Sequence, residues 1–209
     1  PGEISLSHNG VLFLDELPEF KRNVLEVLRQ PLEDGFITVS RVRGSIKFPA
    51  KFILIASMNP CPCGFFGDPK KACHCTPGRI QKYVSKISGP LLDRIDIHID
   101  IPQVKYQDIS SDTNFETTGA IKKRVQKARD IQLGRFKKTG IFFNAHMSHK
   151  HLREFCQVTS EGKELLKMAM NELGISARAH DKILKTARTI ADLAESENIL
   201  PEHLSEAIS

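Results

Sequence analysis

The sequence predicts an α/β unit followed by an all-α unit, and three observations carry that expectation. Two continuous apolar runs, "GVLFLDE" at 10–16 and "KFILIASMNP" at 51–60, end abruptly in polar residues, the pattern of buried strands in a parallel sheet. A β-rich hairpin pattern, "FITVSRVRGSIKFP" at 36–49, lies between them. From residue 119 onward apolar residues recur at helical spacing, with no further strand pattern.

Each element follows from local chemistry. The chain opens at Pro1, two residues into what reads as a loop before a strand, so it is expected to be a piece of a longer protein. Val11 to Leu14 show no alternation, which predicts burial of both strand faces. That strand ends in Asp15-Glu16, two carboxylates that cost free energy if left dry and unpaired. Either they reach water, or they sit at the carboxyl edge of an open α/β sheet, where ligands bind. "FKRNVLEVLRQPLEDG" predicts a helix carrying Val24, Leu25, Val27 and Leu28, ended by Pro31 and Gly35. The hairpin turns around Arg41 to Gly44 and closes at Pro49. A Pro/Gly/Cys-rich loop, 60–76, then precedes a short helix at about 77–87. "LLDRIDIHIDIP" alternates Ile95, Ile97, Ile99 and Ile101 with acids and a His, the period of a half-buried strand.

The α/β unit is accordingly set at 1–102, a polar, patternless linker at 103–118 and the helical unit at 119–209. In the helical unit, Ile121, Val125 and Ala128 form one stripe. Leu165, Leu166, Ala169 and Leu173 form a second, ended by Gly174. Ile183, Ala187, Ile190, Ala191 and Ala194 form a third, with Ser176 as N-cap, and Pro201 opens a last helix.

A net charge of +5 and a pI near 9.0 lean toward polyanionic partners. No apolar run approaches the roughly 18 residues that span a bilayer, and no signal-peptide pattern is present, so the expectation is cytoplasmic, with no membrane partner. In a reducing cytosol disulfides are the weaker reading of the cysteine-rich loop. Cys61, Cys63, Cys73 and Cys75 form C-x-C-x₉-C-x-C, and four thiolates can close a tetrahedral structural Zn²⁺ site. Gly64 and Gly67 permit the tight backbone this needs. His74 is a poorer ligand than its neighbours, and the alternative is a set of reduced thiols. Cys156, alone in a helical context, reads as a buried apolar filler.

The strand ending in Asp15-Glu16 resembles the Walker B motif of AAA+ ATPases. "SMNP" carries Asn59, where those proteins carry their sensor 1 residue; "GPLLDRIDIHIDIP" resembles their arginine-finger region; "SARAHDKILKTARTIADL" resembles the sensor 2 helix. "PGEISLSHNGVLFLDELPEF", "MNPCPCG" and "GPLLDRIDIHIDIP" together resemble YifB/ComM-type magnesium-chelatase-like AAA+ ATPases. The resemblance runs nearly end to end and is loosest across 103–160.

The resemblance implies part of an AAA+ P-loop NTPase core with a pre-sensor-1 β-hairpin, followed by an all-α lid. It implies ATP and Mg²⁺ as cofactors. Asp15 would hold Mg²⁺, Glu16 would polarise the attacking water and Asn59 would help position it. Arg94 would reach the γ-phosphate of a neighbouring subunit, and Arg178 would be the sensor 2 arginine, with Arg188 a poorer substitute. The bland alternatives are a turn-forming Asn59 and an Arg94 paired with Asp93 or Asp96. In hexameric rings of this clade the hairpin projects toward the pore, so Arg41, Arg43 and Lys47 would contact a DNA backbone. Otherwise the tip is a solvated turn, and "KKRVQKAR" and "RFKK" are solvated helix faces. The sequence holds no G-x-x-x-x-G-K-[ST] loop, so these 209 residues alone are expected to bind nucleotide poorly and hydrolyse none.

Three functions compete. One is an ATP-driven DNA translocase, with branch migration implied by the ComM type. A second is a chelatase-like remodeller of a metal-inserting partner. The third, a zinc-containing nucleic-acid module without ATPase activity, leaves Asp15, Glu16, Asn59, Arg94 and Arg178 without a shared reason.

Overall fold

The computed structural model describes residues 2–42, 44–101 and 116–209. Arg43 and nearly all of the expected linker lie outside the described residues. The chain divides into two compact units, Pro1–His98 and Ile99–Ser209.

The first unit starts with a helical turn, α1 (Glu3–Leu6), where the sequence suggests a loop. Ser5 makes it possible: its hydroxyl donates to the Gly2 carbonyl at 2.8 Å and accepts the Gly2 N–H at 3.0 Å. β1 (Val11–Leu14) pairs in parallel with β4 (Ile53–Ala56), in register from Val11↔Ile53 to Leu14↔Ala56. Between them come α2 (Arg22–Val27), α3 (Arg29–Asp34) and an antiparallel hairpin of β2 (Phe36–Arg41) and β3 (Gly44–Pro49). The expected single helix is thus two, broken at Leu28. Pro31 does not end it: in the first turn of α3 its missing N–H is no loss, and Gly35 in the left-handed region provides the stop. α4 (Pro77–Val84) and α5 (Gly89–Leu92) complete the unit.

Its core gathers Leu17, Leu25, Leu28, Ile87 and Leu91, with Leu12 and Leu14 packed against them. Full burial of each leucine contributes roughly 1.5–3 kcal/mol. The other sheet face is open. Val11, Phe13, Ile53 and Ile55 are each at least 49% exposed, which corrects the expectation that both faces of β1 are buried. Only one side of the two-stranded sheet has a covering layer among the described residues. The alternating segment 95–101 is likewise not a strand. Alternation shapes a face but does not supply a partner, and Ile97, Ile99 and Ile101 are all exposed.

The second unit is helical. α6 (Thr118–Phe136) is capped by Thr117, whose side chain accepts from the Ala120 N–H. α7 (His149–Phe155), α8 (Ser160–Leu173), α9 (Ala177–Leu193) and α10 (Pro201–Ile208) follow. Ser176 caps α9 by accepting from the Ala179 N–H, and Gly174 ends α8 in the left-handed conformation, both as expected. The core joins Phe136, Met147, Leu152, Leu166, Ala187, Ala191, Ile199 and Leu204. One stripe is corrected: α6 buries Ala128, Gln132 and Phe136, while Ile121 and Val125 stay exposed. No helix among the described residues is long and apolar enough to cross a membrane.

Candidate functional site

The parallel register of β1 and β4 brings the carboxyl ends of the two strands side by side. The residues that follow, Asp15 and Ser57, meet there: the Ser57 hydroxyl donates to Asp15 Oδ1. The same oxygen accepts the Glu16 N–H at 3.0 Å. Backbone bonds continue the pairing beyond the ladder, Ser57 N–H to Leu14 O at 3.0 Å and Leu17 N–H to Ser57 O at 2.9 Å. Glu16 itself is left-handed, φ 51° and ψ 52°. For a residue with a long side chain this is a strained conformation, of order 1 kcal/mol, and such strain clusters at functional sites. It breaks strand alternation immediately after Asp15, so the two adjacent acids are not held to opposite faces.

Asn59 lies two residues past Ser57, with an exposed side chain. Its backbone hydrogen-bonds the phenol of Tyr83 on α4; burial is the largest influence on that phenol and raises its pKa. Asp15 and Glu16 follow β1 directly and Asn59 follows β4 by three residues, so the chain segments that carry them leave the carboxyl ends of neighbouring strands of one sheet. Asp15 and Ser57 form a pair of hard oxygen donors at a sheet's carboxyl edge, the donor chemistry that suits Mg²⁺.

Arg94 follows α5. Its guanidinium donates to the Pro90 carbonyl at 2.5 Å and pairs with the Glu33 carboxylate from α3. Arg178 is in the first turn of α9 and exposed. Arg188 is committed to the fold: only 3% exposed, it donates to Asp192 and to the carbonyls of Glu197 and Ser196.

On the hairpin, Arg41 occupies the last ladder pair, opposite Gly44, and Val42 beyond it is fully exposed. Lys47 pairs in register with Thr38. Side chains alternate along a strand, so Arg41 and Lys47 stand on opposite hairpin faces. The Lys47 ammonium sits 3.2 Å from the centre of the Phe36 ring. Arg43 lies outside the described residues.

The four loop cysteines converge, all four Sγ atoms lying within 4.8 Å of one another. Cys61 and Cys63 are 3.4 Å apart, Cys61 and Cys73 3.7 Å, Cys63 and Cys73 3.6 Å. Zn–S bonds of about 2.3 Å in a tetrahedron put sulfurs about 3.8 Å apart, so these spacings fit. Gly64 and Gly67, both at φ 81°, supply the left-handed turns. Their thiols are split. A backbone hydrogen bond at Phe65 brings Cys63 down to about 6. At Cys73 a backbone hydrogen bond at Cys75 pulls downward, but burial and the sulfur neighbours together outweigh it and push the thiol up to about 12. Cys156 is buried among apolar residues as expected, and burial raises its thiol to about 11.

Ser57, Glu33 and Tyr83 escaped sequence reasoning. Only Ser57 left a signal, a hydroxyl just past an apolar run that pairs with the one ending at Asp15.

Compared with known families, residues 1–109 match the model for magnesium chelatase, subunit ChlI, and residues 115–209 match the model for its C-terminal region. The chain belongs to the magnesium-chelatase family. Within that family it is of the YifB/ComM type. It is 43% identical to competence protein ComM of Haemophilus influenzae over 209 residues, all of this chain and 40% of that protein. It is 45% identical to YifB of Escherichia coli K12, again across the whole chain and 40% of the relative. Magnesium-chelatase subunit ChlI of Chlorella vulgaris is 22% identical over 214 aligned residues, 52% of its length. The chain thus spans about 40% of the length of the ComM and YifB relatives.

Proposed function

We propose that this magnesium-chelatase-family chain is part of an AAA+ motor that couples ATP hydrolysis to movement along DNA, acting as a hexameric ring. The observation that carries this is the Asp15–Ser57 bond joining two parallel strand ends, with Glu16 next to Asp15 in the chain and Asn59 two residues past Ser57. Bound there, Mg²⁺–ATP supplies the phosphoryl group to be transferred and the cation that neutralises its charge. Asp15 would hold the cation, its Oδ1 already oriented by Ser57 and the Glu16 N–H. Glu16 would take the proton of the attacking water. Asn59, a neutral amide, can donate to phosphate and accept from water together. Arg94 would act on a neighbouring subunit's nucleotide after releasing Glu33. Arg178 would supply the lid's charge to the nucleotide. Arg41 and Arg43 at the hairpin tip would meet the DNA backbone, which demands positive charge without sequence reading, and Lys47 would add a contact from the opposite hairpin face.

The cysteine cluster is proposed as a structural Zn²⁺ site formed by Cys61, Cys63, Cys73 and Cys75. It supplies order to a loop with few core residues. The chelatase-like alternative is weakened by the identities, 43% to a competence protein against 22% to a chelatase subunit.

The test uses the complete gene product. Glu16→Gln should leave Mg²⁺–ATP binding intact while lowering turnover by about 10²–10⁴-fold, the range for removing a general base. Arg41→Ala with Arg43→Ala should keep basal ATPase but remove its stimulation by DNA. Undiminished hydrolysis by the Glu16→Gln protein would sink the motor reading.

A further inference from the structure

The outer face of α6 carries an unused line of lysines. Between Thr118 and Lys138, α6 and the two residues after it hold eight basic residues against one acid, Asp130. The structure sorts them by use. Every arginine is engaged: Arg124 with Glu116 at 2.7 and 3.1 Å, Arg129 over the Phe143 ring at 3.9 Å, Arg135 with Asp192 and Asn144. Among the lysines, Lys127 reaches Glu195 at 2.8 Å. Lys122, Lys123, Lys137 and Lys138 are exposed, and none has an acidic partner among the described residues.

Their placement is not scattered. Ala128, Gln132 and Phe136 mark the buried side of α6. At about 100° per residue, Lys123, Lys127 and Lys137 fall within about 40° of the opposite direction, Lys122 lies about 100° from it at the edge of the face, and Lys138 stands in the turn after the helix. Two basic stretches separated in sequence therefore become one stripe, about 22 Å long from Lys123 to Lys138 at 1.5 Å per residue. Lys137 and Lys138 also complement the carboxyl end of the helix dipole, a use that Lys122 and Lys123 do not have.

We infer that this stripe is a phosphate-backbone contact for nucleic acid, separate from the hairpin. The residues between the lysines on that face are Gln126, Asp130 and Gly134, with Asp130 bonded to Gln126 at 2.9 Å. A protein partner would need an apolar anchor there, and a membrane surface would need large apolar side chains beside the charges. Along the line of charge itself there is neither: the nearest exposed large apolar side chains of α6, Ile131 and Leu133, stand about 80° to either side of it. A polyphosphate backbone needs only spaced positive charge, which it has. The inference does not require the strand-end site to hydrolyse anything.

The test is the salt dependence of binding of a short labelled DNA duplex to the 209-residue chain. Each phosphate contact adds about 0.9 to the slope of log K against log salt. Lys122→Gln, Lys123→Gln, Lys137→Gln and Lys138→Gln together should make the slope shallower by about 3.6, a differential loss of about a hundredfold between about 50 and 200 mM salt. Each pair changed alone should give about half that slope change, which keeps the test decisive if the quadruple variant does not fold. The same four positions changed to Arg should restore binding. Arg41→Gln should leave the α6 contribution in place, separating this surface from the hairpin. An unchanged slope in the Gln variants overturns the inference. So does loss of binding to anionic phospholipid vesicles with DNA binding intact, which would assign the stripe to lipid.

Discussion

The two units treat polarity in opposite ways. The first leaves Val11, Phe13, Ile53 and Ile55 open on its sheet and joins a carboxylate to a hydroxyl where two strands end. The second seals charge inside. Asp192 has no exposed surface, yet it accepts from Arg135 at 2.7 Å, from Asn144 at 2.8 Å and from Arg188 at 3.1 Å. Asn144 also donates to Thr189 and accepts from Arg135, and its own N–H goes to Gln132. A buried network so fully bonded fixes one packing of α6 against α9, whereas half-satisfied it would be worse than an apolar core. The helical unit therefore reads as a finished scaffold. The α/β unit carries the proposed chemistry and the proposed Zn²⁺ loop.

That contrast can be broken or sharpened by measurement. The largest effect belongs to removal of the proposed Zn²⁺, because structural zinc in small peptides contributes roughly 10–16 kcal/mol of apparent binding energy. Stripping the metal should abolish amide-exchange protection across 61–75 while leaving α6 to α10 unchanged; equal loss in both units would erase the distinction. Next is Asp192→Ala, which strands Arg135 and Arg188 without their carboxylate. The expected loss is about 3–5 kcal/mol in a denaturant titration, confined to the helical unit.

A smaller loss is expected from Gly162→Ala in the first turn of α8. Alanine favours a helix by about 1 kcal/mol over glycine. Here, however, its Cβ would stand 2.6 Å from Val158 Cγ1 and 2.8 Å from Leu204 Cδ1, and Leu204 is fully buried. Overpacking at about 1–3 kcal/mol should win, lowering the thermal midpoint of the helical unit by several degrees. The smallest effect is kinetic. In metal-free protein near neutral pH, Cys63 at about 6 is mostly thiolate, while Cys156 at about 11 is almost wholly protonated and buried. Alkylation followed by peptide mapping should label Cys63 first and Cys156 only on unfolding. Early labelling of Cys156 would mean the helical core is not closed.

Much of the fold is legible in the residues themselves. Strands at Val11–Leu14 and Ile53–Ala56, the hairpin, the caps at Ser176 and Gly174 and the cysteine spacing all follow from patterns spanning a few residues. Where expectation and fold part, one cause recurs. Burial of both β1 faces, a strand at 95–101, and a core stripe through Ile121 and Val125 each presuppose a partner surface that periodicity does not supply. Apolar spacing says which side chains could be covered, not whether anything covers them.

Sequence alone determined the class of most elements, the donor types available and the excess of positive charge, because these depend on residue identity and near neighbours. Tertiary structure decided the pairings. Ser57 reaches Asp15 across 42 positions and Arg94 reaches Glu33 across 61. Four thiols close to within 4.8 Å, and lysines from two separate stretches, Lys123 and Lys137, fall on one side of α6 because the other side is packed against the core. Contacts between distant residues follow from how buried faces fit together, and that fit is a property of the folded chain rather than of any stretch of it.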